Sequence, residues 1–315
     1  MSAKRAWVTG IIGLLCCSLS LVACVPEPSA PEESAAESTE TTESTEAFTV
    51  GAIPDQDAEK LQRLYTRLAE YLTTELGVPV EYKPVTDYTA AVTAFKVGDL
   101  DLVWFGGLTG VQARLQVEGA EAIAQRDIDA QFHSVFIANA SSNLSEISDI
   151  AELAQLKGRS FTFGSESSTS GRLMPQYFLQ QAGISLSDFK GEAGFAGNHD
   201  AILKLVEAGT YEAGALNEQV WNTRLEEGAI DTNKVKVIWR TPAYYDYHWV
   251  INPAVEDQYG EGFSEKVQAA LLNLDPANPE HQEILELFGA EKFVETQNGN
   301  YAQIEQIARE IGKIQ

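Results

Sequence analysis

The chain has 315 residues, of which 46 are acidic and 22 basic, for a net charge of −24 at pH 7. So large an acidic excess makes nucleic acid and anionic membrane surfaces poor partners, and any anionic ligand must be caught by a local cradle against the overall field. The length exceeds one typical domain and points to two lobes.

The chain opens with Lys4 and Arg5, then an apolar stretch from Ala6 to Ala23, then Leu21-Val22-Ala23-Cys24. This is the layout of a secretory signal whose cleavage leaves an N-terminal cysteine for lipid attachment, so residues 1–23 are expected to be a lipoprotein signal and Cys24 the anchor. An uncleaved membrane anchor is the competing reading, and the stretch is barely long enough for one. Cys16 and Cys17 would leave with the signal, and the single remaining cysteine excludes an intramolecular disulfide. From Val25 to Ala47 the composition is Pro, Ser, Thr, Ala and seven Glu without a basic residue. Such a segment buries no core, so residues 24–47 are expected to be a disordered acidic tether.

The body alternates strand and helix patterns. Phe48 to Ala52 reads as a strand, and Leu61, Leu64, Leu68 and Leu72 recur at helical spacing. Val80 to Val85 is a strand, Ala90 to Val97 a helix, Asp101 to Phe105 a buried strand, and Leu108 to Val117 a helix. This succession implies parallel strands with crossover helices. His133 to Ala138 is another strand, after which the alternation restarts: a strand from Arg159 to Phe163, a helix to Ala182, a strand from Gly191 to Phe195, a helix to Ala208 and a strand from Tyr211 to Leu216. Strands follow at Val235 to Trp239 and His248 to Ile251, and the tail from Phe263 to Ile314 reads as helical. The expected fold is α/β with two lobes. Residues 48–131 and 246–315 make the first lobe, 132–245 make the second, and crossings near His133–Asn139 and Tyr247–Asn252 join them. Ligands of open α/β sheets bind beyond the carboxyl ends of the strands, which places the site in the cleft between the lobes.

The most informative loop is Ser165-Glu166-Ser167-Ser168-Thr169-Ser170-Gly171, where a strand should turn into a helix. A helix start leaves its first amides without intrahelical partners and carries partial positive charge, so hydroxyls clustered there form a cradle for a tetrahedral oxyanion. Plain N-capping is the bland alternative. Gly106-Gly107, after the strand ending at Phe105, offers a second helix start with free amides, or a packing turn. In Gly197-Asn198-His199-Asp200, His199 either donates to an oxyanion or stands exposed beside a capping Asn198 or Asp200. Tyr88 points a hydroxyl into the cleft or covers the core, and Asn217 with Glu218 are ligands, caps or hinge contacts. Tyr244 to Trp249 is an aromatic connection bearing one carboxylate, Asp246, and hydroxyls such as that of Tyr247. A carboxylate facing an anion is sensible only if it accepts a proton the anion carries.

Taken together and in this order, the Ser-Thr-Ser-Gly turn, the Gly-x-His-Asp loop and the Asp-x-Val-Trp-Phe-Gly strand end resemble the phosphate/phosphite/phosphonate substrate-binding proteins of ABC transporters. The resemblance runs from about Phe48 to Pro253. It implies that Ser168, Thr169 and Ser170 hold phosphonyl oxygens, that Tyr88 and His199 contact ligand, and that Asp246 is the acidic residue of the final crossing; Phe105, Gly106, Asn217 and Tyr247 complete the candidate ligand set. It also implies an ABC permease as partner, an extracytoplasmic location and no catalysis; no cofactor or metal is expected, and a monomer is the default. The chain departs from the family where Gly107 and Gly110 replace a proline and a pocket-lining aromatic, which suggests a small ion without a large organic substituent. Selenate or a related oxyanion is the alternative ligand. Readings of other classes are a sensor that hands its closed form to a receptor and a cell-surface hydrolase using Ser168 or Ser170 with His199. The hydrolase lacks a third catalytic group and a Gly-x-Ser-x-Gly elbow.

Overall fold

The computed structural model describes residues 46–315. The expected signal segment, Cys24 and nearly all of the tether lie outside the described residues. In the first part of the body, β1 (Phe48–Ala52), α1 (Ala58–Leu76), β2 (Val80–Tyr82), α2 (Tyr88–Val97), β3 (Leu102–Phe105), α3 (Gly107–Gln116) and β4 (Glu121–Arg126) follow in order. Next come β5 (Ser134–Asn139), β6 (Phe161–Phe163), α4 (Met174–Gln181), β7 (Gly194–Phe195), α5 (His199–Glu207), β8 (Ala213–Asn217), α6 (Glu218–Glu226) and β9 (Val235–Arg240). The chain closes with β10 (His248–Ile251), α7 (Val255–Tyr259), α8 (Phe263–Leu272), α9 (Pro279–Phe288), β11 (Phe293–Glu295) and α10 (Ala302–Glu310).

The strands form two sheets, in the orders β11-β4-β10-β3-β1-β2 and β7-β6-β8-β5-β9. β1 pairs in parallel with β2 and β3, and β6 pairs in parallel with β7 and β8, as the strand–helix alternation predicts. The strands after each crossing run the other way: β5 is antiparallel to β8 and β9, and β10 is antiparallel to β3 and β4. The segments entering and leaving the second sheet lie side by side, since Phe132 and Tyr244 exchange backbone hydrogen bonds of 2.9 and 3.0 Å. The stretches His133–Asn139 and Tyr247–Asn252 are therefore mostly strands within the sheets, and the paired crossings sit at the near end of each.

Local chemistry explains the elements. Leu61, Leu64, Leu68 and Leu72 form the buried stripe of α1, Asp57 caps its start, and Gly77 at φ +70° ends it in the left-handed region. β1 and β3 are buried on both faces, which is why they read as continuous apolar runs.

Three elements differ from expectation. β4 has polar Gln125 and Arg126 at its end, which hides the apolar pattern, yet both are buried because Arg126 is paired internally. α6 buries only Val220 and Trp221 and so lacks a readable stripe. The tail is not wholly helical: Phe293–Glu295 adds β11 to the edge of the first sheet, a pairing with β4 that no local propensity signals.

Candidate functional site

The loops after β1, β3, β6, β7 and β8 converge between the two sheets. Ser168, Thr169 and Ser170 follow β6, each at most 2% exposed, and residues Thr169–Leu173 wind as a π turn before α4. Ser168 Oγ accepts the Gly171 amide at 2.9 Å, and Thr169 Oγ1 accepts the Leu108 amide at 2.9 Å. Each hydroxyl has thus used acceptor capacity, and the Thr169 hydroxyl also faces the Asp246 carboxyl and that of Ser168 faces Tyr88. The capping reading is realised by Ser168.

The second helix start behaves differently from expectation. The amide of Gly107 donates to Asp246 Oδ1 at 2.9 Å and that of Leu108 to Thr169, so the groups expected to be free are spent on organising the site. Gly106 is required by proximity, because a Cβ there would stand 3.1 Å from Thr169 Oγ1 and 3.3 Å from Asp246 Oδ1. Phe105 points into the core, fully buried and edge-on to Phe95 at 5.8 Å.

Asp246 is fully buried, and its Oδ2 has no hydrogen-bond partner. Burial pushes its carboxyl up to about 7; Asp129 adds to the rise, while the Gly107 amide, the Thr169 hydroxyl and Arg126 oppose it. Tyr88, which opens α2 after the capping Asp87, is 2% exposed and places an unpartnered hydroxyl beside Ser168. An orphaned donor and an orphaned acceptor buried in one site are costly unless a ligand satisfies them.

His199 opens α5 and is fully buried, so the exposed reading fails; Asn198 caps the helix by accepting the Ala201 amide at 2.8 Å. Burial lowers the His199 imidazole to about 4, leaving it neutral at ordinary pH. Asn217 caps α6, accepting the Val220 amide at 3.1 Å, and also reaches Tyr247 with Nδ2 at 3.2 Å. Tyr247 gives its proton to Asp55 Oδ2 at 2.8 Å. Asp55 went unremarked in the sequence, although its place just beyond the carboxyl end of β1 is a signal of cleft position.

Two of the nearby arginines are paired with acids. Arg126 forms a bidentate pair with Asp129 at 2.7 and 2.8 Å and stacks over Tyr247. Arg240 pairs with Glu218 at the surface, and Arg172 is buried against Phe163 and Phe195 with Nε and Nη1 unpartnered. The turn itself presents the hydroxyls of Ser168, Thr169 and Ser170, with the Asp246 carboxyl beside Thr169.

Residues 50–301 match the family described as ABC transporter, phosphonate, periplasmic substrate-binding protein. The chain is 49% identical over 266 residues to the probable ABC transporter phosphite binding protein PhnD1 of Prochlorococcus marinus (strain MIT 9301), covering 84% of this chain and 90% of that one. It is 27% identical over 275 residues to the phosphonates-binding periplasmic protein of Escherichia coli (strain K12), covering 84% and 77%. The solved structure of P. marinus PhnD1 in complex with methylphosphonate superposes with a TM-score of 0.84 at 49% identity, covering 85% of this chain and 99% of that one. These relatives are substrate-binding proteins of ABC transporters and not enzymes, which sets the hydrolase reading aside, and they share the two-lobed periplasmic-binding fold. With its Ser-Thr-Ser turn, buried carboxylate and two-sheet cleft, the chain belongs to the periplasmic phosphonate/phosphite substrate-binding protein family of ABC transporters.

Proposed function

We propose that this protein binds a small, protonated tetrahedral phosphorus oxyanion, phosphite or a short-chain phosphonate such as methylphosphonate, and delivers it to an ABC permease. In this reading Ser168, Thr169, Ser170, Tyr88 and His199 donate to the oxyanion, Asp246 Oδ2 accepts the proton it carries, and Phe105, Gly106, Asn217 and Tyr247 shape and hold those groups. The lobes comprise 48–131 with 246–315, and 132–245; Cys24 carries a lipid anchor after removal of 1–23, and 24–47 is the tether. The protein acts as a monomer.

The observation that carries the reading is that Asp246 Oδ2 and the Tyr88 hydroxyl, near the Ser168–Ser170 turn, are both buried without a hydrogen-bond partner. A protonated phosphorus anion satisfies both at once, whereas sulfate and selenate bring two sets of lone pairs to a carboxylate. The 49% identical relative solved with methylphosphonate supports the size class.

The test is calorimetric titration of residues 48–315 with phosphite, methylphosphonate, phosphate, sulfate and selenate at pH 7.5. Tightest binding of phosphite or methylphosphonate is expected. Preference for sulfate or selenate would overturn the assignment of Asp246.

A further inference from the structure

Behind the cradle, four residues form a hydrogen-bond chain with a single direction. The Asn217 amide donates to His199 Nδ1 at 3.4 Å, so the neutral imidazole carries its proton on Nε2. Nε2 stands 3.4 Å from Tyr247 Oη, a contact long enough to yield to a stronger acceptor placed beside it. Tyr247 Oη also accepts from Asn217 Nδ2 at 3.2 Å and spends its one proton on Asp55 Oδ2 at 2.8 Å. The Asp55 carbonyl in turn accepts the His199 amide at 2.9 Å. Asp55 thus grips His199 twice, through the backbone directly and through the ring by way of Tyr247.

The geometry leaves the phenol little choice. Trp104 stacks on Tyr247 with ring centroids 5.7 Å apart and planes 19° apart, and the Arg126 guanidinium lies over the ring at 4.9 Å. With the ring clamped, only the hydroxyl torsion is free, and a phenol has one proton to direct. Asp55 follows β1 in the first sheet, while His199 and Asn217 sit at the ends of β7 and β8 in the second. The chain of bonds therefore exists only while the two lobes are together.

We propose that Asp55 is a positioning residue for oxyanion binding: by taking the Tyr247 proton it turns the Tyr247 oxygen, as an acceptor, toward the Asn217 side-chain amide and His199 Nε2–H, so the imidazole is held in place before the anion arrives and its one proton passes to the oxyanion on binding. The proposal rests on the reading that His199 faces the oxyanion. Without an acceptor at position 55 the Tyr247 proton turns toward the His199 Nε2–H, donor meets donor, and the closed arrangement loses its internal support.

The experiment is a double-mutant cycle read as methylphosphonate and phosphite affinity by calorimetry, on residues 48–315, with thermal melting of each unliganded variant alongside. Asp55→Leu removes the acceptor at similar volume, Asp55→Asn keeps one in its Oδ1, and each is combined with Tyr247→Phe. Expected are a loss on the order of tenfold for Asp55→Leu, substantial recovery in Asp55→Asn, and little further loss when Asp55→Leu is added to Tyr247→Phe. Equal losses for Leu and Asn, or an Asp55→Leu loss that is the same in the Tyr and Phe backgrounds, would overturn the positioning role while leaving the functional reading intact. Wild-type protein that binds neither anion would overturn both.

Discussion

The amide of Leu108 donates to Thr169 Oγ1 at 2.9 Å, a bond that ties the start of α3 beside the first sheet to the oxyanion turn of the second. Thr169 thereby joins the two lobes, and in the proposed reading it also contacts the ligand. Thr169→Ala should weaken phosphite and methylphosphonate binding by roughly 1.5–3 kcal/mol, on the order of 10- to 100-fold in Kd, whereas Thr169→Ser should retain most of the affinity. Calorimetry on the two variants checks this; equal affinities would remove Thr169 from the site.

In the proposed reading Asp246 selects which anion is accepted. Asp246→Asn keeps the volume but replaces an obligate acceptor with a group that can also donate, so phosphite affinity should fall about tenfold or more while sulfate affinity rises. Competition titrations in the two proteins read the change in selectivity directly. An unchanged phosphite-to-sulfate ratio would contradict the proposed role.

The same carboxyl predicts a pH dependence. Burial holds Asp246 up to about 7, so below that pH it carries its own proton and can donate, and above it the charge repels a proton-free anion. Sulfate binding by the wild-type protein should therefore strengthen as pH falls from 8 to 6, and the slope should vanish in Asp246→Asn. Sulfate itself does not titrate in this window.

Gly110, one of the departures from the family pattern, has a structural cause. A Cβ there would lie 2.3 Å from His248 Nε2, and His248 Nδ1 is 3.0 Å from the Asp246 carbonyl oxygen. Gly110→Ala should force His248 aside, costing about 1–3 kcal/mol of stability, and it should disturb Asp246 with it. Thermal denaturation with and without methylphosphonate separates the two effects.

Arg126 and Asp129 are both buried, and the Arg126 Nη1 also reaches Gln219 Oε1 of α6 at 2.6 Å. Arg126→Met leaves Asp129 as an uncompensated buried acid and should cost about 3–5 kcal/mol. Gln219→Ala removes only the contact to the second lobe, and should leave stability nearly unchanged while weakening ligand binding by a few-fold; a chemical denaturation series with parallel titrations distinguishes them.

Much of the architecture was legible because it is local. The leucines of α1 repeat at helical spacing, Asp87 and Asn198 cap the helices they precede, and β1 and β3 are apolar runs bounded by turns. The Ser168–Ser170 turn was legible as a hydroxyl-rich strand-to-helix junction, read as a cap or a cradle. β4 and β11 were not, because their stability comes from partners far away in sequence: Gln219 and Phe288 around Arg126 for β4, and β4 itself for β11.

The sequence by itself determined the two-lobed α/β fold and pointed to a candidate site with one carboxylate in the final crossing. Only the tertiary structure decided where Asp246 points, that the Gly107 and Leu108 amides are spent inside the site, and that Tyr247 is committed to Asp55. These facts depend on atoms brought together across 139, 61 and 192 residues of chain. Local propensity carries no information at that range; packing does, because a buried polar group must find its partner wherever the fold places one.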